Sequence, residues 1–322
     1  MAVIGLDLGA TKLAGALFDA DGNLVERALV LLEHCEGDQV GRLMIEQVST
    51  LREKAAARGW DVKAVAAAVP GLAHPETGAV WAPNIGGWED YPLRDVLLRA
   101  VGKTCPVVVE SDRAASIVGE VARGAARGCR HAVFLAVGTG IGAGILVDGA
   151  ILRGAHDLAG AIGWMGLDRP YQPLYVRCGG FESHASGSGI ARTAQELLRA
   201  EPGYRGPLSE TSWESITARE VFAAFAVGDS LAAKIVANAV ECWGMAAANL
   251  ISLFDPEIVV LGGGLFGPAA GLLERIIAEA RQWAQPLSFP KVKVCISALG
   301  SDACLFGTGE LARRAAYKWS AA

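Results

Sequence analysis

Apolar positions alternate with small or polar ones at the start of the chain, Val3, Ile4, Leu6 and Leu8 standing against Gly5, Asp7 and Gly9. This period of two predicts a strand, and residues 13–19 predict its antiparallel return. The connection is the small-residue turn Gly9-Ala10-Thr11-Lys12. Backbone N–H groups there can approach an anion closely, with the Thr11 hydroxyl and the Lys12 charge beside them. The same device recurs at residues 134–146, where an apolar strand, the turn Gly138-Thr139-Gly140 and an apolar return containing Gly142 follow in order. One such turn is equally an ordinary hairpin. Two of them, about 130 residues apart, predict two related lobes facing one another, each gripping one end of a polyphosphate.

A turn at 19–23 leads to a third strand at 24–31, and Val40, Leu43, Met44, Val48, Leu51 and Ala55 then fall at helical spacing until Gly59. A short buried strand at 64–69 ends at Pro70-Gly71, so the pattern reads βββαβ. Residues 70–95 are irregular and carry Trp81 and Trp88; a loop of this length in a compact domain is usually functional. Asn84 lies within it, suited either to a sugar hydroxyl or to capping a turn. A strand at 107–110 is followed by Asp112 and a helix at 114–122. A carboxylate at a strand's C-terminal end is where α/β folds place chemistry, and it is also an N-cap position. Residues 124–130 read as the crossing into the second lobe. Beyond the second hairpin, 154–189 lacks regular periodicity and holds Trp164, Cys178, Glu182 and Ser186, which makes it a second candidate substrate loop. Helices at 189–200, 218–226 and 229–253 follow, the last one central. A strand at 258–261 opens into Gly262-Gly263-Gly264, bare backbone that admits a flat ligand such as a purine. A strand at 293–296 and a helix at 303–315 close the pattern.

Length and composition add limits. The 322 residues, 52% hydrophobic and 20% charged, suit a well-buried globular chain of about two domains. A net charge of -5 argues against a broad footprint on nucleic acid or acidic membrane. With no basic leader and no uncharged apolar run of about 18 residues, a cytoplasmic protein is expected. Cys35, Cys105, Cys129, Cys178, Cys242, Cys295 and Cys304 are scattered without a C-x-x-C pair, which favours reduced thiols. His34, His74, His131, His156 and His184 stand alone and are expected at ordinary surface or turn positions.

In order and spacing, Asp7-Leu8-Gly9-Ala10-Thr11-Lys12, Val69-Pro70-Gly71, Pro83-Asn84-Ile85-Gly86-Gly87-Trp88, Ser111-Asp112, Gly138-Thr139-Gly140-Ile141-Gly142-Ala143-Gly144 and Leu261-Gly262-Gly263-Gly264 resemble the ROK family (repressors, open reading frames and sugar kinases). That family lies within the actin and hexokinase superfamily of ATPases, and the resemblance covers nearly the whole chain. It implies an α/β, two-lobed actin-like (ribonuclease H-like) ATPase fold of duplicated βββαβαβα units with a cleft between lobes. The expected lobes are residues 1–122, completed by a C-terminal helix at 303–322, and residues 123–302. The resemblance further implies ATP with its phosphates on Gly9, Ala10, Thr11, Lys12, Gly138, Thr139, Gly140 and Gly142, its adenosine at Gly262, Gly263 and Gly264, and Mg²⁺ oriented through water by Asp7. Asp112 would be the general base that takes the proton from a sugar hydroxyl attacking the γ-phosphate. Asn84, Ser111, Ala161, Trp164 and Glu182 would line the sugar. The expected activity is ATP- and Mg²⁺-dependent carbohydrate phosphorylation, with a small-molecule sugar as partner and neither nucleic acid nor membrane. Family repressors carry a winged helix-turn-helix ahead of the first hairpin, and this chain begins at that hairpin, so DNA-bound repression is not expected. Members often form dimers; no stretch marks a surface for a homodimer.

Three departures shape the expected specificity. Gly160-Ala161-Ile162-Gly163-Trp164 stands where the family reads Gly-Glu-x-Gly-His, and Ser111 replaces an asparagine. The histidine is also a zinc ligand in many members, with three cysteines of a Cys-x-Cys-Gly-x-x-Gly-Cys run; only Cys178 remains of these, so no structural zinc is expected. Glu182 and Ser186-Gly187 keep the family's Glu-x-x-x-Ser-Gly. With polar sugar contacts altered, glucose is not the expected substrate. Trp164 either stacks on an apolar sugar face or fills space left by the absent zinc loop. A non-catalytic sugar or nucleotide sensor on the same fold, and inorganic polyphosphate as donor, are the competing readings.

Overall fold

The structure is a computed structural model that describes residues 1–33, 35–102, 104–201 and 203–321. The chain divides into two compact units, one of Met1–Gly128, Arg153–Ala159 and Ser301–Ala322, the other of Cys129–Leu152 and Gly160–Gly300.

The first unit begins with β1 (Ala2–Leu8), β2 (Lys12–Phe18) and β3 (Leu24–Leu31), an antiparallel meander. Helix α1 (Asp38–Ala56) follows, burying Val40, Met44, Val48, Leu51 and Ala55 at the predicted spacing. Then come β4 (Val62–Val69), the small hairpin β5 (Leu72–Ala73) and β6 (Val80–Trp81), α2 (Leu93–Val101), β7 (Val107–Ser111) and α3 (Asp112–Arg123). The sheet order is β3-β2-β1-β4-β7, with β1, β4 and β7 parallel. β1 is buried along almost its whole length, as a central strand requires, whereas β3 exposes alternate residues at the sheet edge. Helix α2 is absent from the sequence reading, although Leu93, Val96, Leu97 and Val101 sit at helical spacing and are buried.

The second unit repeats the plan. Strands β8 (Ala132–Val137), β9 (Ile141–Val147) and β10 (Ala150–Ile151) form its meander. Short helices α4 (Tyr175–Cys178) and α5 (Gly180–Ala185) occupy the stretch read as irregular, followed by α6 (Gly187–Ala200), α7 (Ala218–Ala226) and α8 (Ser230–Phe254). β11 (Ile258–Gly262), α9 (Leu273–Trp283) and β12 (Lys293–Ile296) complete a sheet of order β10-β9-β8-β11-β12. By length and composition alone α8 could cross a membrane. Here it is a core helix, with Trp243 and a run of alanines fully buried.

The last helix, α10 (Ala303–Ser320), returns to the first unit. It crosses α3 at a glycine contact. A Cβ added at Gly307 would stand 1.7 Å from the Ala115 carbonyl oxygen, and one at Gly119 would stand 2.0 Å from that of Ala303. Phe306 packs on Phe18 with ring centroids 5.8 Å apart.

The unit boundaries differ from those read off the sequence. The first unit runs to Gly128 and takes back Arg153–Ala159, because Arg153 pairs with buried Glu110 and His74 Nδ1 lies 3.0 Å from Asp157 Oδ2. The substitution Gly307→Ala should cost about 1 to 3 kcal/mol through backbone overpacking. Urea denaturation measures it, and an unchanged midpoint would show that the α3–α10 crossing relaxes freely.

Candidate active site

In the first unit the predicted phosphate turn is closed by Gly9 N donating to Lys12 O (2.9 Å) and is braced from β3 by Leu32 N donating to Thr11 O (3.0 Å). Ala10, Thr11 and Lys12 are exposed. Asp7, one residue before the end of β1, is half-buried. Burial pushes its carboxyl up to about 6, the nearby Asp112 charge adds to this, and a hydrogen bond with the Cys304 thiol and the Lys12 charge act against it. Cys304 is itself buried, and its thiol is pushed up by burial and by both acids. The sequence reading treated it as an ordinary thiol, since nothing local links position 304 to position 7.

Two roles were open for Asp112, base or helix cap, and the structure assigns the cap elsewhere. Ser111 is the N-cap of α3, its Oγ accepting from Ala114 N at 3.4 Å. Asp112 is the first helical residue and accepts from Arg113 N at 2.7 Å. Burial raises its pKa, while the Arg113 charge and backbone N–H groups oppose the rise. A carboxyl so placed at the end of a parallel strand suits proton transfer. Capping uses Ser111 Oγ as an acceptor, which leaves its hydroxyl proton to donate. Asn84 is exposed, and its amide makes no hydrogen bond to protein among the described residues. The turn around it closes through backbone instead, with Ile85 N donating to Ala82 O at 2.9 Å.

In the second unit Gly138 N donates to Gly140 O (2.9 Å), closing the second predicted turn. The start of α6 docks on it, Gly187 N donating to Gly138 O at 2.8 Å. Glu182 on α5 accepts from Ile141 N at 2.6 Å, and burial raises its pKa. A Cβ at Gly140 would stand 2.8 Å from the Glu182 carboxylate, so glycine is needed there for this contact. Glu182 therefore braces the hairpin, beside Gly142 in β9, whatever else it binds. Of the three glycines that end and follow β11, two serve packing. A Cβ at Gly262 would meet the Phe134 ring at 2.2 Å, and at Gly263, whose φ is +92°, it would meet Val137 O at 2.4 Å. Gly264 faces open space. Ala161 accepts through its carbonyl from Trp164 N at 3.2 Å, and Trp164 is 57% exposed, so it is not a space-filling side chain.

The donor sets separate zinc from magnesium. At the family's zinc position Cys178 contacts Ser183 Oγ at 3.2 Å, and His184 Nε2 is engaged with Tyr175 OH at 2.6 Å, which in turn donates to Asp168 at 3.1 Å. These residues do not fit a zinc ion. His184 is thus networked, as are His74 and His131, the latter 3.5 Å from Asp148; His34 lies outside the described residues. No group of three or more His, Cys, Asp or Glu stands together as a metal site among the described residues. Magnesium keeps waters and phosphate oxygens as ligands and needs only one or two carboxylates. Asp7, whose ionisation is disfavoured by burial and by Asp112, fits that demand because a cation would relieve both.

A family model described as the ROK family matches residues 3–315. A glucokinase of Halalkalibacterium halodurans is 30% identical over 319 residues, covering 97% of this chain and 94% of that enzyme. A bifunctional enzyme NanE/NanK of Brucella melitensis is 32% identical over 314 residues, covering 96% of this chain and 54% of that protein. The crystal structure of a ROK family glucokinase from Streptomyces griseus in complex with glucose and AMPPNP has a TM-score of 0.79 at 29% identity, covering 98% of this chain and 100% of the other. The twin sheets with their turns thus define a two-lobed actin-like ATPase fold. Within that class, this chain belongs to the ROK family.

The raised Asp7 carboxyl has a stability signature. Its folded value of about 6 exceeds the unfolded 3.8, so the unfolded chain loses this proton first and stability falls as pH rises through that window. In magnesium-free buffer, Asp7→Asn should match the parent near pH 4 and exceed it above pH 6, by up to about 3 kcal/mol. Urea titrations across that range check this, and a constant difference at all pH values would show that Asp7 is not the group responsible.

Proposed function

We propose that this protein is an ATP- and Mg²⁺-dependent carbohydrate kinase with a specificity other than glucose. The observation that carries the proposal is Asp112, a carboxyl at the end of β7 that is released from capping by Ser111 and raised by burial. In this reading Asp112 accepts the proton of the attacking sugar hydroxyl. The turns 9–12 and 138–140, with Thr11 and Thr139 exposed, hold phosphate oxygens through backbone N–H groups, and Lys12 adds a positive charge. Gly264 leaves room for the adenine face. Asp7 would hold the metal through water, and Mg²⁺ there would supply charge neutralisation of the phosphates. Asn84 and Trp164, both exposed, offer an amide and an aromatic face to the sugar, and Ala161 removes a carboxylate that the family's usual motif supplies there. The reaction is expected in the cytoplasm, where its donor is made.

One observation favours the sensor reading, the hydrogen bond from Ile141 N by which the Glu182 carboxylate braces its own hairpin. Purified protein with ATP and Mg²⁺ is to be assayed for ADP release against hexoses, amino and N-acetyl sugars, deoxy sugars and polyols, with polyphosphate as an alternative donor. One acceptor should turn over, and Asp112→Asn should lower kcat by about 10²- to 10⁴-fold with little change in KM. ATP binding with no turnover on any acceptor would replace the kinase by the sensor.

A further inference from the structure

Away from the residues assigned above, the first unit holds a cavity of about 660 Å³ between α1, α2 and the segment that connects β6 to α2. Asp38 and Arg42 line it from α1, Val96 and Arg99 from α2, and Gly87 and Tyr91 from the connecting segment. Asp38 and Arg42 are one turn apart on α1, and Val96 and Arg99 are one turn apart on α2, so each helix offers the cavity a single face.

The two arginines are the unusual feature. Each has a carboxylate four residues away along its own helix, Glu46 after Arg42 and Asp95 before Arg99. Neither makes that ion pair, although Arg192 and Glu196 do so elsewhere in the chain at 3.6 Å. Neither arginine has any hydrogen-bond or ion-pair partner among the described residues, and both charges act on the Tyr91 phenol. Asp38 is already oriented, accepting from Tyr91 OH at 3.0 Å, which leaves it further acceptor capacity. Two uncommitted guanidinium groups and one oriented carboxylate, set among apolar walls, form a recognition pattern of two parts. The guanidinium forks match phosphate oxygens, and the carboxylate matches a hydroxyl donor.

We propose that this cavity binds a small phosphorylated polyol, its phosphate between Arg42 and Arg99 and one of its hydroxyls on Asp38. The site backs onto the segment that carries Asn84. Tyr91 stacks on Trp88 with centroids 4.4 Å apart and planes 7° apart, and Trp88 Nε1 donates to Gly37 O at 3.0 Å. An occupant touching Tyr91 and Gly87 therefore presses on the same rigid unit that presents Asn84. The inference concerns binding and needs no turnover, so it stands or falls separately from the kinase reading.

The test is calorimetric titration of the full chain with sorbitol 6-phosphate, glucose 6-phosphate and inorganic phosphate, for the parent and for an Arg42→Gln/Arg99→Gln pair. Both arginines are exposed, so the pair should keep the parent's melting temperature and ATP affinity. An Arg42→Lys/Arg99→Lys pair retains charge without the fork and serves if the first pair fails to fold. At least one sugar phosphate should bind the parent, with inorganic phosphate at least about tenfold weaker, and the glutamine pair should lose at least about tenfold, the lysine pair less. Equal binding by parent and glutamine pair, as a product held at the catalytic aspartate would give, overturns the proposal. So does inorganic phosphate binding as tightly as either sugar phosphate, or no binding to the parent up to about 10 mM.

Discussion

The first unit is organised by the difficulty of burying two carboxyls near each other. Parallel pairing of β1, β4 and β7 brings the ends of β1 and β7 to one edge, two strand spacings or about 10 Å apart. Asp7 and Asp112 sit there, each resisting ionisation through burial, and the Asp112 charge adds to the resistance of Asp7. Much of the surrounding structure answers that strain. Lys12 supplies a charge from the next turn, Arg113 another from α3, and α10 brings the Cys304 thiol to Asp7. Such an edge is a poor place for two acids at rest and a good one for a cation and a proton in transit.

The second unit shows how the same sheet plan is reused with different chemistry. Its turn is held by Glu182 and by the start of α6, not by a neighbouring strand as in the first. One carboxylate therefore couples the shape of a hairpin to the helix on which it rides. Beyond it, the Asp168–Tyr175–His184 hydrogen bonds fasten the segment between β10 and α6 with side chains that are bulky and oriented.

How far the chain was readable depended on the range of the forces involved. Both hairpins were legible because alternation and small turns are local signals, and the α1 and α8 patterns are long enough to speak for themselves. Helix α2 went unread because its four apolar positions follow a stretch dense in proline and glycine, which drew the irregular region too far. The choice between Asp112 and Ser111 as cap rests on one backbone turn, below the precision of any pattern. The return of Arg153–Ala159 to the first unit rests on pairs 43 and 83 residues apart in sequence, Glu110 with Arg153 and His74 with Asp157. The link from Cys304 to Asp7 is longer still, and no periodicity encodes it.

Helix α10 has a consequence for how the molecule is made. Its residues lie against β1, Phe18 and α3, yet the ribosome releases them only after every strand of both sheets. The second unit can therefore reach its native packing while the first still lacks a wall, its meander and parallel strands waiting with apolar surface uncovered. During that interval the earlier-synthesised half is the more aggregation-prone one, and chaperone dependence should concentrate on it.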